Sequence, residues 1–369
     1  MEKENKRNNL FDYATSELSQ DAFICWLIEW INHEKEDINL YKTAKSLLNK
    51  LFNLFNISIP LEYRNIIVKK QFEKIDVLII INNEYVIIIE DKTNTRNHSD
   101  QLNRYKNAIL KSKSKDLPSE LSEDKLLLIY FKTGNQSNFS DVKDKEYMPF
   151  LRNDFLDILD NYSTKISNAI FKDYHDYLQN IEAETNSYKK ANVNKWEGYA
   201  WQGFLMELYD SLNSKRLPYN KTWDNWRFVN NARGGFWSLA WAWSGLIGEP
   251  KIEVFILLEL EEGEKTKKRL CFKVYVQDKE KRKDIRDKLF EIAKQNNDYK
   301  KEENRPNFST GEHMTFWIHK QNIFEDYNKT HDLKNIKQIM EVAEKQLGKI
   351  KNQYTLENKL EHGSSQLKK

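Results

Sequence analysis

At 369 residues the chain has room for two domains of roughly 100–200 residues each, and its 39% hydrophobic and 31% charged composition excludes global disorder. With 59 basic against 56 acidic residues the formal net charge is +3, which excludes nucleic-acid binding by overall charge alone but allows a local basic track beside an acidic site. Only two cysteines occur, Cys25 and Cys271, both in apolar runs, so neither a disulfide framework nor a thiolate zinc cluster is expected. The start, Met1 to Arg7, is charged and no signal-type apolar stretch follows it. No apolar run approaches the roughly 18 residues of a membrane span, and a cytoplasmic protein without a membrane partner is expected.

The first patterned segment predicts a helix from about Ala14 to Asn32, with Leu18, Ala22, Cys25, Trp26 and Glu29 along one side and Thr15 or Ser16 as its cap. A second helix is predicted from Tyr41 to Phe55, inward through Ala44, Leu47, Leu48, Leu51, Phe52 and Phe55. Strands follow at Glu62 to Phe72, Ile75 to Ile81 and Tyr85 to Thr93, then a helix at Ser99 to Lys111 and a strand at Lys125 to Lys132. Val77 to Ile81 and Val86 to Ile89 lack polar alternation, which predicts central strands covered on both faces of an α/β sheet.

Helical spacing runs from Phe155 to Ile181, and the polar break Glu184 to Asn192 divides the chain into expected domains 1–190 and 191–369. Beyond it a helix is predicted at Trp196 to Leu212 and strands at Phe236 to Trp243, Lys251 to Leu260 and Leu270 to Gln277. A charged helix at Lys279 to Lys294, a short strand at Thr315 to His319 and a last helix at Leu333 to Gln353 complete an α+β accessory domain.

Charged groups stand where two apolar strands reach the same end: Asp76 begins one and Glu90-Asp91-Lys92 ends the next. Carboxylates beside a buried sheet are costly unless neutralised, ion-paired or bound to a cation. Glu90 and Lys92 share a face because side chains alternate along a strand. A three-residue loop Asn82-Asn83-Glu84 pairs Ile81 with Tyr85 and brings Asp76 opposite Glu90, whereas a two-residue Asn82-Asn83 turn pairs Asp76 with Ile89 and sends it to the other face. The alternative is a set of surface charges with an ion pair that contributes little.

An α-β-β-β-α-β order with Ile75-Asp76, then Glu90-Asp91-Lys92, resembles the PD-(D/E)XK nuclease superfamily over about Glu17 to Phe131, with isoleucine in place of the motif proline. Gln101-Leu102-Asn103-Arg104-Tyr105 resembles the Gln-x-x-x-Tyr motif of its RecB-like subset. The resemblance implies a restriction-endonuclease-like core and a metal-dependent nuclease acting on nucleic acid, DNA before RNA. It implies Mg²⁺ or Mn²⁺ held by Asp76, Glu90 and the Asp91 carbonyl, with Lys92 orienting the attacking water or offsetting transition-state charge.

Gln101 and Tyr105, one turn apart, could reach substrate phosphates, or serve as a surface amide and a packing phenol. Glu17 is the candidate first-helix acid near the metal, or merely stabilises a helix N-terminus. The Asp91 side chain points away from Glu90 and Lys92 by alternation and is expected to be structural. His98 lies near a helix start and carries no assignment.

In the second half Trp237, Leu239, Trp241 and Trp243 alternate with small residues, predicting an aromatic strand face that packs in a core or, as the rival reading, stacks on unpaired bases. Arg227, Arg233 and the Lys265 to Arg269 cluster could contact phosphates, and Lys279 to Lys288 reads as a solvated helix face. Substrate selection, sensing and a homodimer all stay open for this half. A catalytically silent binding protein and an RNA-cleaving effector are the rival functions.

Overall fold

The computed structural model describes residues 8–95, 100–213, 225–231, 234–246, 249–262, 268–296, 311–319, 323–324, 326 and 328–366. His98, Arg233 and Lys265 to Lys267 lie outside them. The chain divides into two compact units, Met1–Glu184 and Thr185–Lys369.

The first unit opens with α1 (Glu17–Glu29), extended by a 3₁₀ turn Trp30–Asn32, and α2 (Ile38–Leu54). Asp37 caps α2 by accepting from the amides of Asn39 and Leu40, which satisfies two of the free N–H groups at its start. Ser16 precedes α1 but its hydroxyl meets Ser19 rather than the helix amides.

The side of α1 that carries Leu18, Ala22, Cys25, Trp26 and Glu29 is not its buried side. Gln20, Asp21, Phe23, Ile24, Leu27 and Ile28 are buried, while Leu18 is 55% exposed and Ala22 and Glu29 face water. Apolar residues ring this helix, so their periodicity does not select a face. On α2 they form one stripe, with Ala44, Leu47, Leu48, Leu51 and Phe52 buried and Phe55, the C-cap, half-buried.

Strands β1 (Ile66–Phe72), β2 (Ile75–Ile81), β3 (Tyr85–Lys92), β4 (Leu126–Lys132) and β5 (Met148–Leu151) form a mixed sheet in that order. The first three are antiparallel, and β4 and β5 add in parallel. Ile81 pairs with Tyr85 across the Asn82-Asn83-Glu84 loop, whose two asparagines adopt φ of 54° and 53°. Asparagine tolerates this left-handed region better than other non-glycine residues.

Helix α3 (Gln101–Lys111) covers one face, burying Leu102, Tyr105 and Ile109 against Ile80, Ile88, Leu128 and Tyr130. The opposite face carries α1 and α2, with Phe23 stacked on Tyr174 at 3.8 Å and Phe131 edge-on to Phe155 at 5.2 Å. A short α4 (Ser140–Lys143), α5 (Arg152–Ser163) and α6 (Ala169–Asn186) complete the unit's helices, and helical structure runs through the start of the expected polar break. Coverage on both faces is why β2 to β4 read as unbroken apolar runs.

The second unit joins α7 (Gly198–Asn213), β6 (Asn225–Val229), β7 (Phe236–Leu246), β8 (Glu249–Leu260), β9 (Lys268–Val276), α8 (Arg282–Asn296), β10 (His313–Ile318) and α9 (Leu333–Gln366). Its strands form an antiparallel sheet in the order β10-β9-β8-β7-β6, sharing one core with residues of α7, α8 and α9.

Trp237, Leu239 and Trp241 face that core. Trp243 does not, because a bulge after Trp241, with Ala242 at φ 58°, adds a residue and turns Trp243 onto Phe255 at 3.9 Å on the other face. Nor is Lys279 to Lys288 a wholly solvated face, since Arg286 is buried and pairs with Asp287.

Candidate active site

Register decides which charges meet. Val77 pairs with Ile89, so one further step places Asp76 opposite Glu90, and Asp76 Oδ2 accepts the Asp91 amide at 2.9 Å. Glu90 and Lys92 lie on the α3 face by alternation, and Lys92 Nζ sits 2.5 Å from Glu90 Oε1 and 3.8 Å from Asp76 Oδ2. Glu17, the first residue of α1, completes the ring with Oε2 3.7 Å from the same ammonium. Its other oxygen holds the loop after β3, accepting from the Thr93 amide at 3.0 Å and the Thr95 hydroxyl at 2.6 Å. Three carboxylates thus converge on one lysine at the end of β2 and β3.

Burial sets the electrostatics. The Glu90 side chain is wholly shielded from water, and that burial, reinforced by Asp76, pushes its pKa up to about 8 against the pull of Lys92. Burial works against charge on Lys92, but Glu90, Asp76 and Glu17 outweigh it and hold the ammonium protonated. Glu90 Oε2 has no hydrogen-bond donor among the described residues.

Asp91 turns to the α1 face. Its Oδ1 accepts from Gln20 Nε2, and its carbonyl stays at the site, accepting from Lys92 Nζ at 2.9 Å. Burial and then Asp21 raise the Asp91 carboxyl well above the usual range. Asp21 is raised to about 6 by burial and Asp76, partly offset by a hydrogen bond to Asp91.

Gln101 donates to the Tyr105 hydroxyl at 2.9 Å. Tyr105 is buried in the core under α3, and Glu90 and Asp76 are near enough to add to the effect of burial in raising its pKa. Gln101 and Tyr105 therefore bind each other beside the carboxylates.

Several contributors escape a reading of the sequence. Gln71, near the end of β1 at φ 57°, donates to Asp21 Oδ2 at 3.4 Å and Asp76 Oδ1 at 3.3 Å. Lys132 pairs in register with Lys92 on the neighbouring strand and donates to the Thr95 carbonyl at 2.5 Å from a buried position. Gln20 lies three residues after Glu17 on the same helix, between Ser19 and Asp21, where nothing in the local sequence singles it out.

A mixed sheet between helical layers, with an acid on the second strand and acid-x-Lys on the third, defines a restriction-endonuclease-like α/β domain. Residues 8–197 match the family model of the PD-(D/E)XK nuclease superfamily, and the chain belongs to that superfamily. Compared with curated proteins and with solved structures, the chain has no match. No helix among the described residues is long and apolar enough to cross a membrane.

Proposed function

We propose that this protein is a divalent-metal-dependent nuclease that hydrolyses phosphodiester bonds in DNA, with Asp76, Glu90, Lys92 and the Asp91 carbonyl at the reacting centre. The observation that carries the reading is the convergence of Glu17, Asp76 and Glu90 on Lys92, all within 2.5 to 3.8 Å, at the end of strands that are otherwise apolar.

Among the described residues no group of three or more His, Cys, Asp or Glu side chains is placed to hold a metal ion. The donor set proposed here has two carboxylates and a carbonyl. The unsatisfied Glu90 Oε2, buried beside Asp76, fits a hard cation, because a cation would supply the compensation it lacks. Mg²⁺ or Mn²⁺ would supply Lewis acidity and a more acidic water.

The residues themselves would do the rest. Asp76 and Glu90 hold the cation, and Glu17, the first-helix acid beside them, anchors Thr93 and Thr95. Lys92 gives its proton-bearing Nζ to the attacking water or to the phosphoryl oxygens. Gln101 and Tyr105 belong, on this reading, to the Gln-x-x-x-Tyr element of the RecB-like subset and orient a phosphate. The catalytic machinery lies in 1–190, the accessory domain in 191–369, and the enzyme works in the cytoplasm in DNA repair or anti-phage defence.

Cleavage of linear and circular, single- and double-stranded DNA and of RNA in Mg²⁺, Mn²⁺ or EDTA tests this, with Lys92→Ala and Glu90→Ala as variants. Metal-dependent DNA cutting that falls by about 10²–10³ or more in each variant is expected. Cutting that survives both changes overturns the site, and RNA as the sole substrate overturns the DNA assignment. Binding without cutting under any condition makes the chain a silent member of its fold.

A further inference from the structure

Residue 91 is tied down at three points. Its amide donates to Asp76 at 2.9 Å, its carbonyl receives Lys92 at 2.9 Å, and its carboxylate receives Gln20 from the opposite face of the sheet. Gln20 is itself fixed. Its Oε1 accepts from the Thr133 hydroxyl at 2.7 Å and from the Tyr174 hydroxyl at 2.9 Å. Two hydroxyl donors on the oxygen leave the NH₂ end facing Asp91, so the amide has one satisfied orientation. Burial raises the Tyr174 phenol well above its ordinary range, which keeps that donor protonated.

The partners of this amide come from separate elements. Asp91 ends β3, Thr133 follows β4, and Tyr174 belongs to α6. Thr133 closes a second link, donating its amide to the Lys92 carbonyl at 3.2 Å. One turn earlier on α1, Glu17 accepts the amide of Thr93, two residues along from Asp91. Gln20 and Glu17 therefore clamp alternate residues of the same strand end, and the spacing of α1 from β3 is set at both.

We propose that Gln20 is a positioning residue of the nuclease site: by holding the Asp91 side chain behind the sheet, it aims the Asp91 carbonyl at the cation position. The inference rests on the metal-nuclease reading. Gln20 touches neither substrate nor metal and acts through Asp91. Outer-shell partners of this kind cost about 10–100-fold in metal affinity when removed.

The test is calorimetric titration of the full-length protein with Mn²⁺, without nucleic acid, comparing wild type, Gln20→Leu and Asp76→Asn. Gln20→Leu keeps the volume and removes both ends of the clamp. A Mn²⁺ dissociation constant raised about 10–100-fold in a variant with unchanged circular dichroism is expected. In cleavage assays the lost rate should return as Mn²⁺ is raised, with the KM for DNA unmoved, a pattern that general loosening of the core does not give.

If Gln20→Leu does not fold, the double variant Thr133→Val/Tyr174→Phe decides, since it frees the amide to rotate and should weaken Mn²⁺ binding in the same direction. Mn²⁺ affinity within about twofold of wild type in whichever variant folds overturns the inference. If wild type and Asp76→Asn both fail to bind Mn²⁺, the metal reading fails and this inference falls with it. Binding lost in Asp76→Asn but kept in the Gln20 variants sinks this inference alone.

Discussion

Glu90 carries the sharpest conflict of any single residue in the molecule. A folded-state pKa of about 8, far above that of the same carboxyl in an unfolded chain, means that the native protein keeps a proton which the unfolded chain has lost. Stability associated with Glu90 is therefore complete below about pH 4.5 and is lost as pH rises through about 8. A bound cation reverses the preference by expelling the proton. In EDTA, the melting temperature of wild type should fall more steeply between pH 5 and 8 than that of Glu90→Gln, and in Mn²⁺ the two slopes should converge. Identical profiles in EDTA would show that burial does not hold the proton on Glu90. Both cysteines make a contrasting case: burial pushes Cys25 and Cys271 up to about 12, so about one thiol in ten thousand is ionised at pH 8. The native protein should resist iodoacetamide at that pH, and both thiols should react after denaturation.

Elements position these residues through close backbone approaches. Gly134 follows β4, and a Cβ there would stand 2.1 Å from the Thr93 carbonyl oxygen, a backbone atom that cannot swing aside. Gly134→Ala should cost about 1–3 kcal/mol in urea unfolding, as overpacking does. It should also lower the cleavage rate, because Thr93 is the residue whose amide Glu17 holds. Full stability and full rate together would mean that the loops separate freely. Much of this element-level order was legible in the sequence: the apolar runs of β2 and β3 follow from coverage on both faces, and of the two turns the sequence allowed the structure takes the three-residue loop, which sets Asp76 opposite Glu90. What escaped reading has physical reasons. The inward face of α1 is invisible where apolar residues surround a helix, and β5 is four residues with a proline, too short to show a period. Gln20, Gln71 and Lys132 gain their roles from neighbours 50 to 154 positions distant or on other strands, which no local pattern encodes. The turn of Trp243 out of its core depends on one inserted residue, which alternation alone cannot anticipate.

At the scale of the whole chain, two separate cores imply two cooperative units. The first is a mixed sheet between helical layers and the second an antiparallel sheet whose core is shared with three helices. Each unit has the size and the apolar interior of an independent folding domain. The metal site proposed here draws every donor from Met1–Glu184, so a bound cation should act on that unit's unfolding alone. A ligand at about a hundred times its dissociation constant stabilises its folded partner by about 2.7 kcal/mol. For a domain of this size that corresponds to roughly 5–10 °C in melting temperature, at about 2–4 °C per kcal/mol. Calorimetric scans in EDTA should resolve two transitions, and saturating Mn²⁺ should raise one by that amount while leaving the other in place. Asp76→Asn should abolish the shift without moving the second transition. A single transition that moves as a whole would mean that the units unfold together, and two transitions that both move would place a second cation site in Thr185–Lys369.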